Sequence, residues 1–468
     1  MDLAFFNAIG EEIEPVVSEL NSIVWGPLLL ILLVGTGIFL SFRVKFLQVS
    51  QLPYALKLAF SKRQDQKSDG DISHFQALMT ALSATVGIGN IAGVATAVVS
   101  GGPGAVFWMW FAAFFGMATK YGEAVLAVKY RVTNEFGQKS GGPMYYIERG
   151  LGWKWLAVLF ALFGTIAAIF GIGNMTQSNS VAEALHKTFG INPWITGFVL
   201  AVLTALVIIG GIKSIGRVTA FLVPFMCLFY VFGGLVIILL NIDLLPKAIA
   251  LIFKEAFTAE SVGGGVLGTA VRFGIARGLF SNESGLGSAP IAAAAAKTDH
   301  PSRQGLVSMT GTFIDTMIVC SITGITLVMS GVYAGVDAGV DSASLTVKAF
   351  DGFLPVFGNT VVTTGLILFA YSTILGWSYY GEKCFAYLFT DRSIYIYRII
   401  FVLFTFIGSG LSLELIWGIA DICNALMAIP NLIALLLLSG VIAEETKKFK
   451  EIRRRETGME PPKEVPVR

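Results

Sequence analysis

The stretch ALSATVGIGNIAGV, residues 81–94, decides how this chain is read. It sits inside an apolar segment long enough to cross a bilayer, yet its middle is a poor helix. Gly87, Gly89 and Gly93 fall among β-branched residues, and Asn90 lies at what would be membrane depth. Glycine costs roughly 1 kcal/mol against alanine in a helix interior, so three in one short run favour unwinding. Unwound backbone at that depth is tolerated only where protein buries it or a watery cavity receives it. A helix broken there offers free N–H groups to an anion and free carbonyls to a cation.

The rest of the composition agrees with a membrane protein. Mean hydropathy is +0.73. Only 14% of residues are charged, against roughly 25% in a soluble protein. Eleven apolar spans are expected, at 22–42, 75–100, 103–130, 155–180, 193–212, 217–240, 263–283, 303–330, 358–388, 393–411 and 413–441. The fold class is therefore all-α and polytopic. Arg43, Lys57, Arg131, Lys213, Arg217 and the tail Lys447–Arg455 fall on one side, whereas the other has Lys187, Lys247, Lys254 and Lys348 among several acids. The positive-inside rule then puts the acidic N-terminus outside and the C-terminus in the cytoplasm. Residues 46–62 are basic and amphipathic, and read as an interfacial helix; the tail after Glu444 reads as a frayed helix followed by disorder. No cleavable signal pattern opens the chain. Four cysteines lie in apolar runs without metal spacing and read as free thiols.

Setting the first span aside leaves ten, which divide into five plus five. Span 75–100 opens the first half, and span 263–283, GGGVLGTAVRFGIARGLFSNESG from Gly263, opens the second. Five being odd, the halves run in opposite directions through the membrane. Paired glycine-interrupted spans at matching positions of inverted halves mark a transporter site. Either span alone is better read as small residues for close helix packing; their coincidence at matching positions reverses that preference. Expected units are 1–71 (N-terminus, extra span, amphipathic helix), 72–240 and 241–444 (the two repeats), and 445–468 (the tail).

Ionisable residues inside spans are functional candidates: Lys120, Glu123, Arg272, Arg277, Glu283, Asp315 and Asp421. Lys120 and Glu123 are three apart and suited to a structural ion pair. Arg272 and Arg277 flank Phe273–Ala276, where the second helix is expected to unwind, and could gate the site by pairing with Glu123 or Asp315. Asn174, Gln177, Ser372 and Thr373 are neutral polar candidates, although such hydroxyls commonly bond their own i−4 carbonyl. Gly87–Gly93 lacks the spacing and the strand–turn–helix context of a dinucleotide fingerprint. Asn282–Gly285 is no nucleophile elbow, and His74, His186 and His300 lie near span ends. No enzyme chemistry, cofactor or nucleic-acid partner is indicated, and no channel filter loop is visible.

Gly101–Gly116, GGPGAVFWMWFAAFFG, resembles the signature of the alanine or glycine:cation symporter family. Phe75–Ala97, Ser140–Gly152 and Arg277–Gly305 resemble the same family. The likeness covers about residues 21–444. It implies sodium-driven uptake of alanine, glycine or a similar small neutral amino acid, and a prokaryotic cell membrane. It also implies the LeuT-like inverted-repeat fold, here preceded by one extra span. Carried over residue by residue, Ile88 and Gly89 N–H groups would bind the substrate carboxylate. The Thr85 carbonyl and Asn90 would match one sodium site. Ser83 and Val86 carbonyls would match a second, completed by the Phe369 carbonyl and the Ser372 and Thr373 hydroxyls. Oxygen ligands suit sodium as they suit other hard cations. Trp377, Phe273 and Ile88 would surround the substrate side chain, with Gly274, Ile275 and Ala276 as further lining and Asn174 and Gln177 nearby. Span 217–240 holds no lysine to stand in for a sodium ion; proton coupling through Glu123 or Asp315 is the alternative.

Overall fold

A computed structural model describes residues 15–17, 19–61, 68–258, 268–336, 342–411 and 414–457. The acidic residues before Pro15, the glycine run Gly263–Gly265 and the tail beyond Thr457 lie outside the described residues. What is described is almost entirely helical, with one two-stranded ribbon pairing Val132–Thr133 and Lys139–Ser140.

The helices that position the site are α1 (Pro27–Arg43), α2 (Leu52–Ala59), α3 (His74–Thr85), α4 (Ala92–Gly101), α5 (Gly104–Lys129), α6 (Lys154–Phe170), α7 (Met175–Phe189), α8 (Pro193–Ile208), α9 (Gly211–Leu240), α10 (Leu245–Ala256) and α11 (Thr269–Asn282). They continue with α12 (Ala289–Ala294), α13 (Pro301–Thr312), α14 (Ser321–Ser330), α15 (Ser342–Phe353), α16 (Phe357–Leu388), α17 (Ile394–Gly410), α18 (Glu414–Leu437) and α19 (Ser439–Glu456). Six described helices or continuous helix runs are long and apolar enough to cross a membrane, as are two pairs bent at a break. That is short of eleven spans. One reason is α5, 26 residues long but carrying Lys120 and Glu123 and insufficiently apolar.

The first glycine-rich stretch breaks where the sequence places the break. α3 starts on a capping box: Gln76 N–H donates to Ser73 Oγ (3.2 Å) and Ser73 N–H to Gln76 Oε1 (3.0 Å). It stops at Thr85 because Val86 is extended (φ −78°, ψ 94°). A single 3₁₀ turn, Ile88–Asn90, follows, and the chain resumes at 63° to its first direction.

The second break is displaced from its expected position. α11 is helical straight through Phe273–Ala276. Gly274 and Gly278 there serve packing: a Cβ would meet the Ala105 carbonyl of α5 at 2.4 Å and Met109 Cα at 3.1 Å. The helix ends at Asn282, with Glu283 in the left-handed region (φ 55°) and an irregular stretch up to Ser288. Gly285 (φ +92°) and Gly287 (φ +84°) keep that stretch open. The unwinding thus begins two to three turns later than glycine spacing suggested.

The start of α3 is tied to the end of the second break. Asp71 N–H donates to the Ala295 carbonyl and Lys297 N–H to that of Ile72, both at 2.8 Å. Arg131 bridges the Ala294 and Ala296 carbonyls to that of Asp69. Elsewhere, large apolar side chains stand outward from α8, α9 and α17, among them Leu206, Phe221, Leu228, Phe232 and Ile399. A face of that kind is matched by hydrocarbon, not water. α2 lays Ala55 and Ala59 against the protein with no exposure, and α19 stays helical to Glu456.

Candidate functional site

The break in α3 releases two carbonyls for a reason visible in its hydrogen bonds. In an unbroken helix the Ser83 carbonyl would receive Gly87 N–H, and that of Val86 would receive Asn90 N–H. Gly87 N–H is instead taken by Asn90 Oδ1 (2.9 Å), and Asn90 N–H goes to the Gly87 carbonyl (3.2 Å). Both carbonyls turn to α16. Ser372 Oγ lies 3.2 Å from the Ser83 oxygen, 3.5 Å from that of Val86 and 2.8 Å from that of Phe369. Thr373 Oγ1 lies 3.4 Å from the Val86 oxygen and 2.9 Å from that of Phe369. Three carbonyls and two hydroxyls converge, and all five residues are 1% exposed or less. The hydroxyls do bond their own i−3 and i−4 carbonyl, but that carbonyl belongs to the cluster.

Two glycines permit this approach. A Cβ on Gly87 would stand 2.6 Å from Thr373 Oγ1; one on Gly376 would stand 2.6 Å from both Ala84 N and Ser83 Oγ. Next to Gly87 lies Gln177, whose Nε2 donates to the Ile172 carbonyl (2.9 Å) while its buried Oε1 has no partner among the described residues. Ile88 and Gly89 open the 3₁₀ turn, so their N–H groups have no acceptor within it. Gly89 faces Ser281 and Phe280 of α11. A cavity of about 640 Å³ runs outward from Ile88 and is lined by Thr96, Ser180, Lys187, Lys348 and Thr363.

Asn90 is brought to residues that the sequence did not connect. Its Nδ2 donates to Asp315 Oδ1 at 2.6 Å, and Asp315 Oδ2 accepts from Ser281 (3.0 Å) and Thr316 (2.8 Å). Asp315 lies in a π-helical turn, Phe313–Cys320, between α13 and α14. Such turns often mark functional positions, but nothing in the local sequence announces one.

Several expected positions are corrected. Asn174 is spent on structure: it donates to the Phe401 carbonyl (2.9 Å) and accepts from Thr405 (2.7 Å). Phe273 and Ala276 leave the Ile88 neighbourhood and line a separate cavity of about 230 Å³ with Arg272, Arg277, Trp25 and Asp421. Gly274 packs on α5, and Ile275 is buried in the apolar core. Arg277 faces Asp421, not Glu123 or Asp315. Trp377 is buried and donates through Nε1 to Glu283 Oε1 (2.8 Å). Glu123 does not close on Lys120. Its Oε1 accepts from Gly285 N–H and Gly287 N–H (both 3.1 Å) and from Asn431 (2.6 Å). A carboxylate that anchors backbone from a distant loop leaves no signature in spacing, and the pairing of Trp377 with Glu283 leaves none for the same reason.

A helix broken after α3 and another broken after α11, within one helical bundle, give the architecture of the LeuT-like fold. The fold matches that of a solved structure, MhsT in complex with L-phenylalanine, with a TM-score of 0.59 at 14% identity over 79% of this chain and 89% of that one. A weaker likeness links it to a manganese transporter of Eremococcus coleocola, with a TM-score of 0.50 at 14% identity over 79% of this chain and 78% of that one. The model of the Sodium:alanine symporter family matches residues 10–464, and the chain belongs to that family. It is a sodium-coupled symporter, not an enzyme. Among its relatives is the sodium/alanine symporter AgcS of Methanococcus maripaludis, 61% identical over 94% of this chain and 98% of that one. Another is an amino-acid carrier protein, AlsT, of Bacillus subtilis, 36% identical over 98% and 95%.

Proposed function

We propose that this protein takes up alanine, and glycine with it, by binding sodium and the amino acid together at the first break. The single observation carrying this is the convergence of the Ser83, Val86 and Phe369 carbonyls on the Ser372 and Thr373 hydroxyls. Five neutral oxygens suit a monovalent hard cation. A sodium ion there would stabilise the same unwound backbone that presents Ile88 and Gly89 N–H groups to the substrate carboxylate. Gln177 Oε1 is the free acceptor beside it for the ammonium. Trp377, held by Glu283, walls the side-chain end. A second sodium ion would take the Thr85 carbonyl and the Asn90 amide, with Asp315 and Ser281 supplying the remaining oxygens.

The cavity from Ile88 past Lys187 and Lys348 supports entry from the outer face. Arg277 and Asp421 are the gating pair in this reading, with Arg272 beside them. We place the N-terminus outside, the C-terminus in the cytoplasm and eleven spans in a prokaryotic cell membrane, one of them preceding two inverted sets of five. The bundle containing both breaks rocks inward when loaded, and the membrane potential adds roughly 2.3 kcal/mol per charge per 100 mV.

The test is uptake of labelled L-alanine into proteoliposomes. An inward sodium gradient should drive accumulation that a proton gradient alone does not. Accumulation driven by protons with sodium absent would defeat this reading.

A further inference from the structure

The second break holds two carboxylates, Glu123 and Glu283, that the proposed sodium sites do not use. Lys120, Glu123, Glu283 and Asp315 are each 3% exposed or less. Lys120 sits one turn before Glu123 on α5, and Glu123 holds the stretch that Glu283 opens, so two carboxylates share one ammonium in this buried region. Asp315 is engaged by Asn90, Ser281 and Thr316, and a sodium ion at Asn90 would balance it. Glu123 and Glu283 remain against Lys120 alone, one negative charge in excess. A buried charge without a partner is strongly unfavourable.

Among the described residues, two buried oxygens here have no partner. Glu123 crowds three donors onto Oε1, and its Oε2 has none. Tyr380, one turn beyond Trp377 on α16, has an Oη without a partner and is 1% exposed. Its ring lies 5.6 Å from that of Trp377, whose Nε1 donates to Glu283. Tyr146, the other phenol facing Glu123, is spent on Asn431. Excess negative charge and unused oxygens thus coincide at the stretch Glu283–Ser288.

We propose that Glu123, Glu283 and Tyr380 bind one monovalent cation, a sodium ion or a proton, at the second break, apart from the cluster at Ser83–Thr373. The cation neutralises the excess charge. Because Glu123 also holds Gly285 and Gly287 N–H, its occupancy is transmitted directly to the unwound backbone, so the ion is coupled to the motion of that helix. The inference rests on the symport reading above and adds a coupling ion to it.

The experiment compares wild type with Glu123→Gln in proteoliposomes and reads the charge moved per alanine from the reversal potential. Glutamine keeps a carbonyl oxygen for the two glycine N–H groups while removing the negative charge. Wild type should move one more charge per alanine than the variant. If the extra charge follows a pH gradient at equal sodium, the ion is a proton; if it follows a sodium gradient at equal pH, it is sodium. Tyr380→Phe, which leaves every charge in place, should weaken the dependence on that ion several-fold at unchanged charge per alanine, and it serves if Glu123→Gln fails to fold. Equal charge per alanine in wild type and Glu123→Gln, or unaltered ion dependence in Tyr380→Phe, overturns the proposal. Sodium-driven uptake by wild type would survive either result, whereas its absence would remove the symport reading itself.

Discussion

Thr373 carries two tasks at once: its hydroxyl faces the Val86 carbonyl, and its Oγ1 limits the space beside Gly87. Thr373→Ala removes one of five oxygens and should raise the sodium concentration for half-maximal uptake about tenfold, a loss of about 1.4 kcal/mol; a sodium titration of uptake measures it. Gly87→Ala should be worse, because its Cβ would meet the hydroxyl at 2.6 Å. Sodium-driven uptake should vanish in that variant and return in part in the double variant with Thr373→Ala. Trp377→Ala should admit larger substrates such as valine, measured by competition against labelled alanine. It also strips Glu283 of a donor, so part of its effect will be lost stability. Trp377→Phe, which lacks the N–H but keeps much of the bulk, separates the two.

At the scale of elements, the two breaks arise differently. The break after α3 is local: three glycines and Asn90 suffice, since Asn90 Oδ1 itself takes the Gly87 N–H that would continue the helix. The break after α11 is tertiary, its backbone held by Glu123 from α5 and Asn431 from α18. Glycine content therefore located the first and misplaced the second, where glycines of α11 turned out to be packing surface. A further element-level contact seats α19 on the body of the protein. Glu445 pairs with Lys129 (2.7 Å) and with His300 (3.4 Å), and Arg303 reaches Asp299 and Glu456 (both 2.6 Å). Burial lowers His300 below its ordinary 6.5, against the opposing pull of Glu445 and Asp299. Burial would raise Glu445, but Lys129 and Lys448 outweigh it and hold the carboxyl below its usual 4.5. The unfolded chain binds the proton first at both groups, so stability falls as pH drops below 6.5 and again below 4.5. The melting temperature should decline by a few degrees between pH 7 and 5.5, and His300→Gln should flatten that decline.

The whole molecule presents apolar helix faces outward and keeps its charges at the ends and in the interior. The proposed orientation puts Lys187 on the outer face and Lys213 on the cytoplasmic one, so Lys187→Cys should react with an impermeant thiol reagent in intact cells and Lys213→Cys should not. The reverse pattern would invert the topology.

Composition, the spacing of apolar spans and the glycine–asparagine break determined by themselves that the chain is a helical membrane protein with a helix broken at its first glycine-rich stretch. These features depend on each residue's own solubility and backbone freedom, which a linear sequence displays. The family motifs added sodium and alanine. Only tertiary structure decided that Asn174 is a brace, that Phe273 faces another cavity, that Asp315 and Ser281 join Asn90, and that Glu123 anchors the second break. In each case the partner lies far away along the chain. The energy of a buried polar group depends on who meets it, and that is fixed only when the helices pack.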